Sequence, residues 1–168
     1  MKPTLYLLLG YPGAGKTTAA QVIHELTGAV HLSSDAMRTQ MFPKPTFDQS
    51  EHDALYQALD AKTEALLNAG QSVIYDANLN RHKHRADKYA ICARTDAAAV
   101  LLWVQAPKEL AKERAAHVSR LHLVPAHETP DVMFERIAGV IEEPGDNEPY
   151  TAVNGTKVTK DYIASLLK

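Results

Sequence analysis

Cysteine occurs once in 168 residues, at Cys92. A single thiol excludes an intrachain disulfide and a cysteine metal cluster, and it fits a reducing, cytoplasmic setting. Cys92 sits in a helical pattern beside Ile91, where a core position is expected. Net charge is also nearly absent, with 18 Lys and Arg against 20 Asp and Glu. So balanced a chain has no bulk attraction for polyanions, and any nucleic-acid contact must come from a local patch. No apolar run approaches the ~20 residues that a membrane-spanning helix needs. Met1 to Leu9, with its short apolar run, resembles the start of a signal segment. No small-residue cleavage site follows it, however, and it leads straight into a glycine-rich loop. Internal repeats and low-complexity tracts are missing too. The length suits one domain with a real core, expected to fill residues 1–168.

The glycine-rich loop is Gly10-Tyr11-Pro12-Gly13-Ala14-Gly15-Lys16-Thr17, which has the spacing Gly-x4-Gly-Lys-Thr. An apolar run precedes it. An amphipathic pattern of Ala19, Ala20, Val22, Ile23 and Leu26 follows. Glycines let the backbone curl so that several N–H groups point at one phosphate chain. A helix starting near Gly15 adds its positive end. Lys16 can reach the β- and γ-phosphates as a point charge, and the Thr17 hydroxyl is placed for Mg²⁺. Gly10, Gly13, Ala14, Gly15, Lys16, Thr17 and Thr18 are thus the candidate ATP-binding residues.

Elsewhere strands and helices alternate. Strands are expected at residues 4–9, 29–33, 72–75, 98–105 and 150–153. Helices are expected after the loop, at 35–41, from about 50 to Gly70, at about 81–94, from Pro107 to about Arg120, after Thr129-Pro130, and around Tyr162 and Leu166. Ser33 or Ser34 can cap the second helix, and Ser50-Glu51-His52-Asp53 reads as a capping box for the third. This alternation predicts a parallel sheet of about five strands covered on both faces, with the site at the strands' C-terminal ends.

Three further groups of residues suit chemistry at that edge. Asp35 can accept a proton from a hydroxyl that attacks a γ-phosphate, and Arg38 lies one turn later on the same face. A capped helix with a surface ion pair is the competing reading. Asp76 ends a core strand, where it can bear on Mg²⁺ or simply form a turn; Asn80 reads as a helix cap. Arg114, His117 and Arg120 lead into an irregular segment, so residues of about 114–130 form a candidate lid carrying Arg114 or Arg120 as its cation. Arg81, His84, Arg85 and Lys88 make a basic stripe, either a solvated face or a landing surface for an anionic acceptor, with Ala86, Tyr89, Ala90 and Ala93 as the apolar stripe. His122 and His127 lack the partners that a metal site needs. Base contacts are expected near residues 142–154.

The phosphate loop, Ser34-Asp35-Ala36-Met37-Arg38 and Asp76-Ala77-Asn78-Leu79-Asn80 together resemble the P-loop kinases related to phage-type polynucleotide kinase, with zeta-toxin-like and chloramphenicol-phosphotransferase-like kinases as further relatives. The resemblance implies a P-loop NTPase fold, three αβα layers with a helical lid. It implies an ATP- and Mg²⁺-dependent kinase acting on a phosphate-bearing acceptor, with a polynucleotide or nucleotide 5′-hydroxyl favoured. A small-molecule kinase and a non-transferring ATPase switch are the alternatives. By the same resemblance, Lys16 and Thr17 hold triphosphate and metal, Asp35 is the general base and Arg38 binds the acceptor's phosphate. Asp76 helps organise the acceptor side, and a lid arginine contacts the donor phosphates.

Overall fold

The computed structural model describes residues 1–117 and 124–168. The first strand, β1 (Thr4–Leu9), leads through the glycine-rich loop to α1 (Lys16–Thr27) and β2 (Val30–Ser33). Next come α2 (Ser34–Met41), α3 (Gln49–Asn68), β3 (Val73–Asp76) and α4 (His82–Thr95). The chain continues with β4 (Ala98–Gln105), α5 (Lys108–His117), α6 (Pro130–Ala138), β5 (Thr151–Asn154) and α7 (Lys160–Leu166).

All five strands pair in parallel, in the order β2-β3-β1-β4-β5. The central strand shows why helices cover both faces. Leu5, Leu7 and Leu9 pack on one side with Leu59, Leu67 and Ile91 from α3 and α4. Leu8 packs on the other with Ala20 and Ile23 of α1 and Ile163 of α7. Successive strand side chains alternate between faces, so an unbroken leucine run fills both layers. The result is the expected three-layer α/β fold, and the ends of β1, β2, β3 and β5 converge on one edge.

Helix starts agree with their caps, with one correction. The Ser33 hydroxyl accepts from Ala36 N, and the Thr129 hydroxyl from Val132 N. The long third helix begins earlier than its expected box. Asp48 is the cap and accepts from Glu51 N at 2.8 Å, while the Glu51 carboxylate turns away to Thr46 N and Arg38.

The larger correction concerns α4. Its buried residues are Arg85, Lys88, Ile91 and Cys92, whereas Ala86, Ala90 and Ala93 are exposed. Arg85 and Lys88 of the basic stripe are inside because remote carboxylates meet them, while Arg81 stays exposed and His84 half-buried. Arg85 is fully buried, and its Nε and Nη2 donate to the two oxygens of Glu148 at 2.6 and 2.9 Å. Lys88 Nζ donates to both oxygens of Asp60 at 2.6 Å, and the Tyr75 hydroxyl donates to the same carboxylate. Asn80 is not a helix cap either. Its Nδ2 donates to Ile137 O at 3.1 Å and its carbonyl accepts from Glu142 N at 2.7 Å, which ties the end of α6 to the loop after β3.

Candidate active site

The start of α1 is built to receive an anion. Gly15, just before it, takes φ 112°, no described side chain caps the helix, and its first turn holds no acidic residue. The N–H groups of that turn, and the positive end of the helix dipole, are directed at the space above the loop. Two glycines allow the neighbouring backbones to close in. Gly13 has φ 77°, and a Cβ there would fall 2.1 Å from Ala111 O of α5. A Cβ on Gly155 would lie 1.8 Å from Ala14 O, so the turn after β5 rests directly on the loop. Lys16 folds over the loop, donating to Gly10 O at 2.8 Å and Tyr11 O at 3.0 Å.

Beside it the Thr17 hydroxyl donates to Asp76 Oδ2 at 3.0 Å. His31 Nε2 lies 2.9 Å from the same oxygen. The β2–β3 pairing, which sets Ser33 opposite Asp76, brings His31 to that position. Burial pushes the Asp76 carboxyl up, but His31, Lys16 and Thr17 outweigh it and leave the group below the ordinary carboxylate range. Asp76 is therefore ionised at neutral pH. A hydroxyl and an ionised carboxylate in contact are hard oxygen donors of the kind Mg²⁺ takes. Among the described residues, no three His, Cys, Asp or Glu gather as a metal cage. The pair suits a cation that draws its other oxygens from phosphate and water, so the residues present fit Mg²⁺. His31 was not singled out in the sequence; its one signal is a place on the strand that pairs with the Asp76 strand.

A cavity of about 490 Å³ opens over this cluster. Asp35 borders it on the β2 side, and Gly155, Thr156 and Val158 border it beyond β5. Thr18, Lys16, Thr17 and Asp76 line it between them, and α6 contributes Met133, Phe134 and Ile137. Arg114 enters from α5, its Nη1 donating to Gly155 O at 3.1 Å. The structure thus brings Lys16, Thr17, Thr18, Asp35, Asp76 and Arg114 together. Arg38 turns elsewhere: it is buried against Glu51, with its guanidinium 4.8 Å from the centre of the Phe47 ring. Arg120 and His122 lie outside the described residues. The far wall falls at residues 155–158, past the stretch expected for base contacts, whereas Glu142 and Glu148 join α4. The α6 wall was not legible because its apolar residues read equally well as core.

Sheet order, loop and cavity define a P-loop fold of the kinase type. A family model described as an AAA domain (AAA_33) matches residues 5–144, and the chain belongs to that family. The uncharacterised protein Rv2004c of Mycobacterium tuberculosis is 31% identical over 108 residues, which is 57% of this chain and 22% of that protein. Mb2027c of Mycobacterium bovis matches with the same figures. The chain therefore spans 22% of the length of these curated relatives. Among solved structures, the M. tuberculosis APS kinase CysC in complex with AMPPNP and APS superposes with a TM-score of 0.74 at 14% identity, covering 99% of this chain and 96% of that one. A gluconokinase from Sinorhizobium meliloti gives 0.68 at 15% identity, covering 99% and 90%. A chain of the Pnkp1/Rnl/Hen1 RNA repair complex gives 0.66 at 20% identity, covering 82% and 44%. At such identities the likeness is one of fold.

Proposed function

We propose that the chain is a single-domain, ATP-dependent phosphotransferase that moves the γ-phosphoryl group to a hydroxyl of a small acceptor. One observation carries this reading: a single cavity joins Asp35 to the phosphate loop, the Thr17–Asp76 pair and Arg114. The first turn of α1 and Lys16 would hold the triphosphate. Thr17 and Asp76 would hold Mg²⁺, which neutralises charge on the phosphate oxygens when bound. Asp35 takes the proton of the acceptor hydroxyl as its oxygen bonds to the γ-phosphorus. The bond from that phosphorus to the bridging oxygen breaks, and ADP departs with the electron pair. Arg114 stabilises the charge on the moving group. The lid expected at residues of about 114–130 lies partly outside the described residues; of it, Arg114, Ala115, Val124 and Pro130 border the cavity.

The resemblance favours a polynucleotide or nucleotide 5′-hydroxyl as acceptor. The basic stripe of α4 is the one landing surface that the sequence offers a strand, and Arg38 the residue it offers an acceptor phosphate. Arg85 and Lys88 are buried in ion pairs and Arg38 is engaged by Glu51, so no continuous cationic track for a strand remains at those positions. A compact acceptor, a nucleotide included, fits the cavity better.

The test is transfer of labelled γ-phosphate from ATP and Mg²⁺ across a panel holding gluconate, nucleosides, nucleotides and a 5′-hydroxyl oligonucleotide. Asp35→Asn should cut transfer by about 10²-fold or more and leave AMPPNP affinity unchanged. Equal transfer by that variant removes Asp35 from the mechanism. Labelled inorganic phosphate with every acceptor unlabelled would favour the ATPase-switch alternative.

A further inference from the structure

Two histidines outside the cavity lining, on α3 and α4, take no part in the chemistry above. His52 lies near the start of α3 and packs on Tyr56, with ring centroids 4.5 Å apart. The Tyr56 hydroxyl accepts from Asn78 N at 3.2 Å, so the pair abuts the loop that follows Asp76. That hydroxyl is also within electrostatic reach of Asp35 and Arg38. His84 comes from the first turn of α4, close enough for its charge to bear on His52. Its Nδ1 is buried with no hydrogen-bond partner. A native fold rarely leaves a buried ring nitrogen orphaned, and a missing water or ion is a standard explanation.

Arg81 and Lys83, whose charges reach His84, favour an anion there. Arg38 and Asp53 act on His52, and Arg81, Lys88, Lys83 and Asp87 act on His84. Burial and these cations hold both imidazoles below the ordinary histidine range. Glu51 and Asp60 are already engaged by Arg38 and Lys88. Among the described residues no carboxylate hydrogen-bonds either ring.

We propose that His52 and His84 form an oxyanion subsite beside Tyr56, and that the acceptor carries a phosphate or carboxylate group near the hydroxyl that Asp35 deprotonates. This rests on the phosphotransferase reading above. An oxyanion in the subsite gives the orphaned nitrogen's ring a partner and favours protonation of both rings. Its affinity therefore rises as pH falls toward the ordinary histidine range.

The test fills the phosphate loop with AMPPNP and Mg²⁺, then adds inorganic phosphate or acetate while the ring Hε1 signals of His52 and His84 are followed by NMR. His52→Gln and His84→Gln assign those signals among the eight histidines. Both signals should shift saturably, and more at a pH of about 6 than of about 8. Either glutamine variant should weaken phosphate binding roughly tenfold. Tighter phosphate than acetate makes the acceptor a phosphate ester, and the reverse makes it a carboxylate. Unmoved signals, or equal shifts at His82 and His127, mean an adventitious ion only and overturn the subsite. Calorimetry with AMPPNP separates the two readings. Loss of nucleotide binding sinks the phosphotransferase, while binding with silent histidines sinks only the subsite.

Discussion

Helices α1 and α4 both follow a strand of the same sheet and both lie on it, yet they bury opposite kinds of residue. α1 buries Ala19, Ala20 and Ile23. α4 buries Arg85 and Lys88 beside Ile91 and Cys92, and turns three alanines to solvent. In α1 the apolar stripe decides the rotation of the helix, as periodicity assumes. In α4 the rotation is decided by carboxylates far along the chain, Asp60 at 28 residues and Glu148 at 63. Small alanines lose little by facing water, whereas a buried guanidinium with all its donors engaged fixes three segments at once: it also donates to Leu79 O and Glu142 O.

The sharpest way to break this contrast is Arg85→Met. It strips Glu148 of its guanidinium and leaves the carboxylate only the Tyr89 hydroxyl and His82, and should cost about 3–5 kcal/mol in urea unfolding. Arg85→Met with Glu148→Leu should regain most of that, because packed apolar groups replace an ion pair well. A negligible loss in the single variant would return the stripe to the status of a solvated face.

Acid should separate the two helices more gently. Burial pushes Glu148 up, but Arg85, Tyr89 and His82 outweigh it and hold the carboxyl below its usual range. Its stabilising contribution is then complete above the unfolded-chain value of about 4.3 and fades as pH falls through the lower folded value. Hydrogen exchange at falling pH should show α4 amides losing protection ahead of those of α1. Simultaneous loss would mean that the network adds nothing local. The smallest effect should come from Ala90→Lys on the exposed face of α4, within about 0.5 kcal/mol. Ala20→Lys, in the buried face of α1, should be far more damaging by the same urea unfolding.

Most of the fold could be read from the chain because each strand and cap signal is local. The leucines of β1, Thr129-Pro130 and the phosphate loop each name their own structure. The floor of the candidate site was legible for the same reason: Lys16, Thr17 and Asp76 sit at element ends. The rest depends on pairings that no local window contains. Glu51 claims Arg38, His31 reaches Asp76 only through strand register, and Phe134 looks like any core aromatic until α6 is seen beside the loop.

Asn80 gives the α6 wall an unusual mechanics. It holds Ile137 O on one side of Gly139 and Glu142 N on the other, four positions beyond Asp76. The helix is thus an arm about 13 Å long, at 1.5 Å per residue, on a fixed fulcrum. Tilting such an arm by roughly ten degrees sweeps its Pro130 end through about 2 Å while Ile137 scarcely moves. Geometry of this kind works as a gearbox: any travel at the Pro130 end would reach Ile137, which lines the cavity with Thr17 and Asp76, as a much finer adjustment.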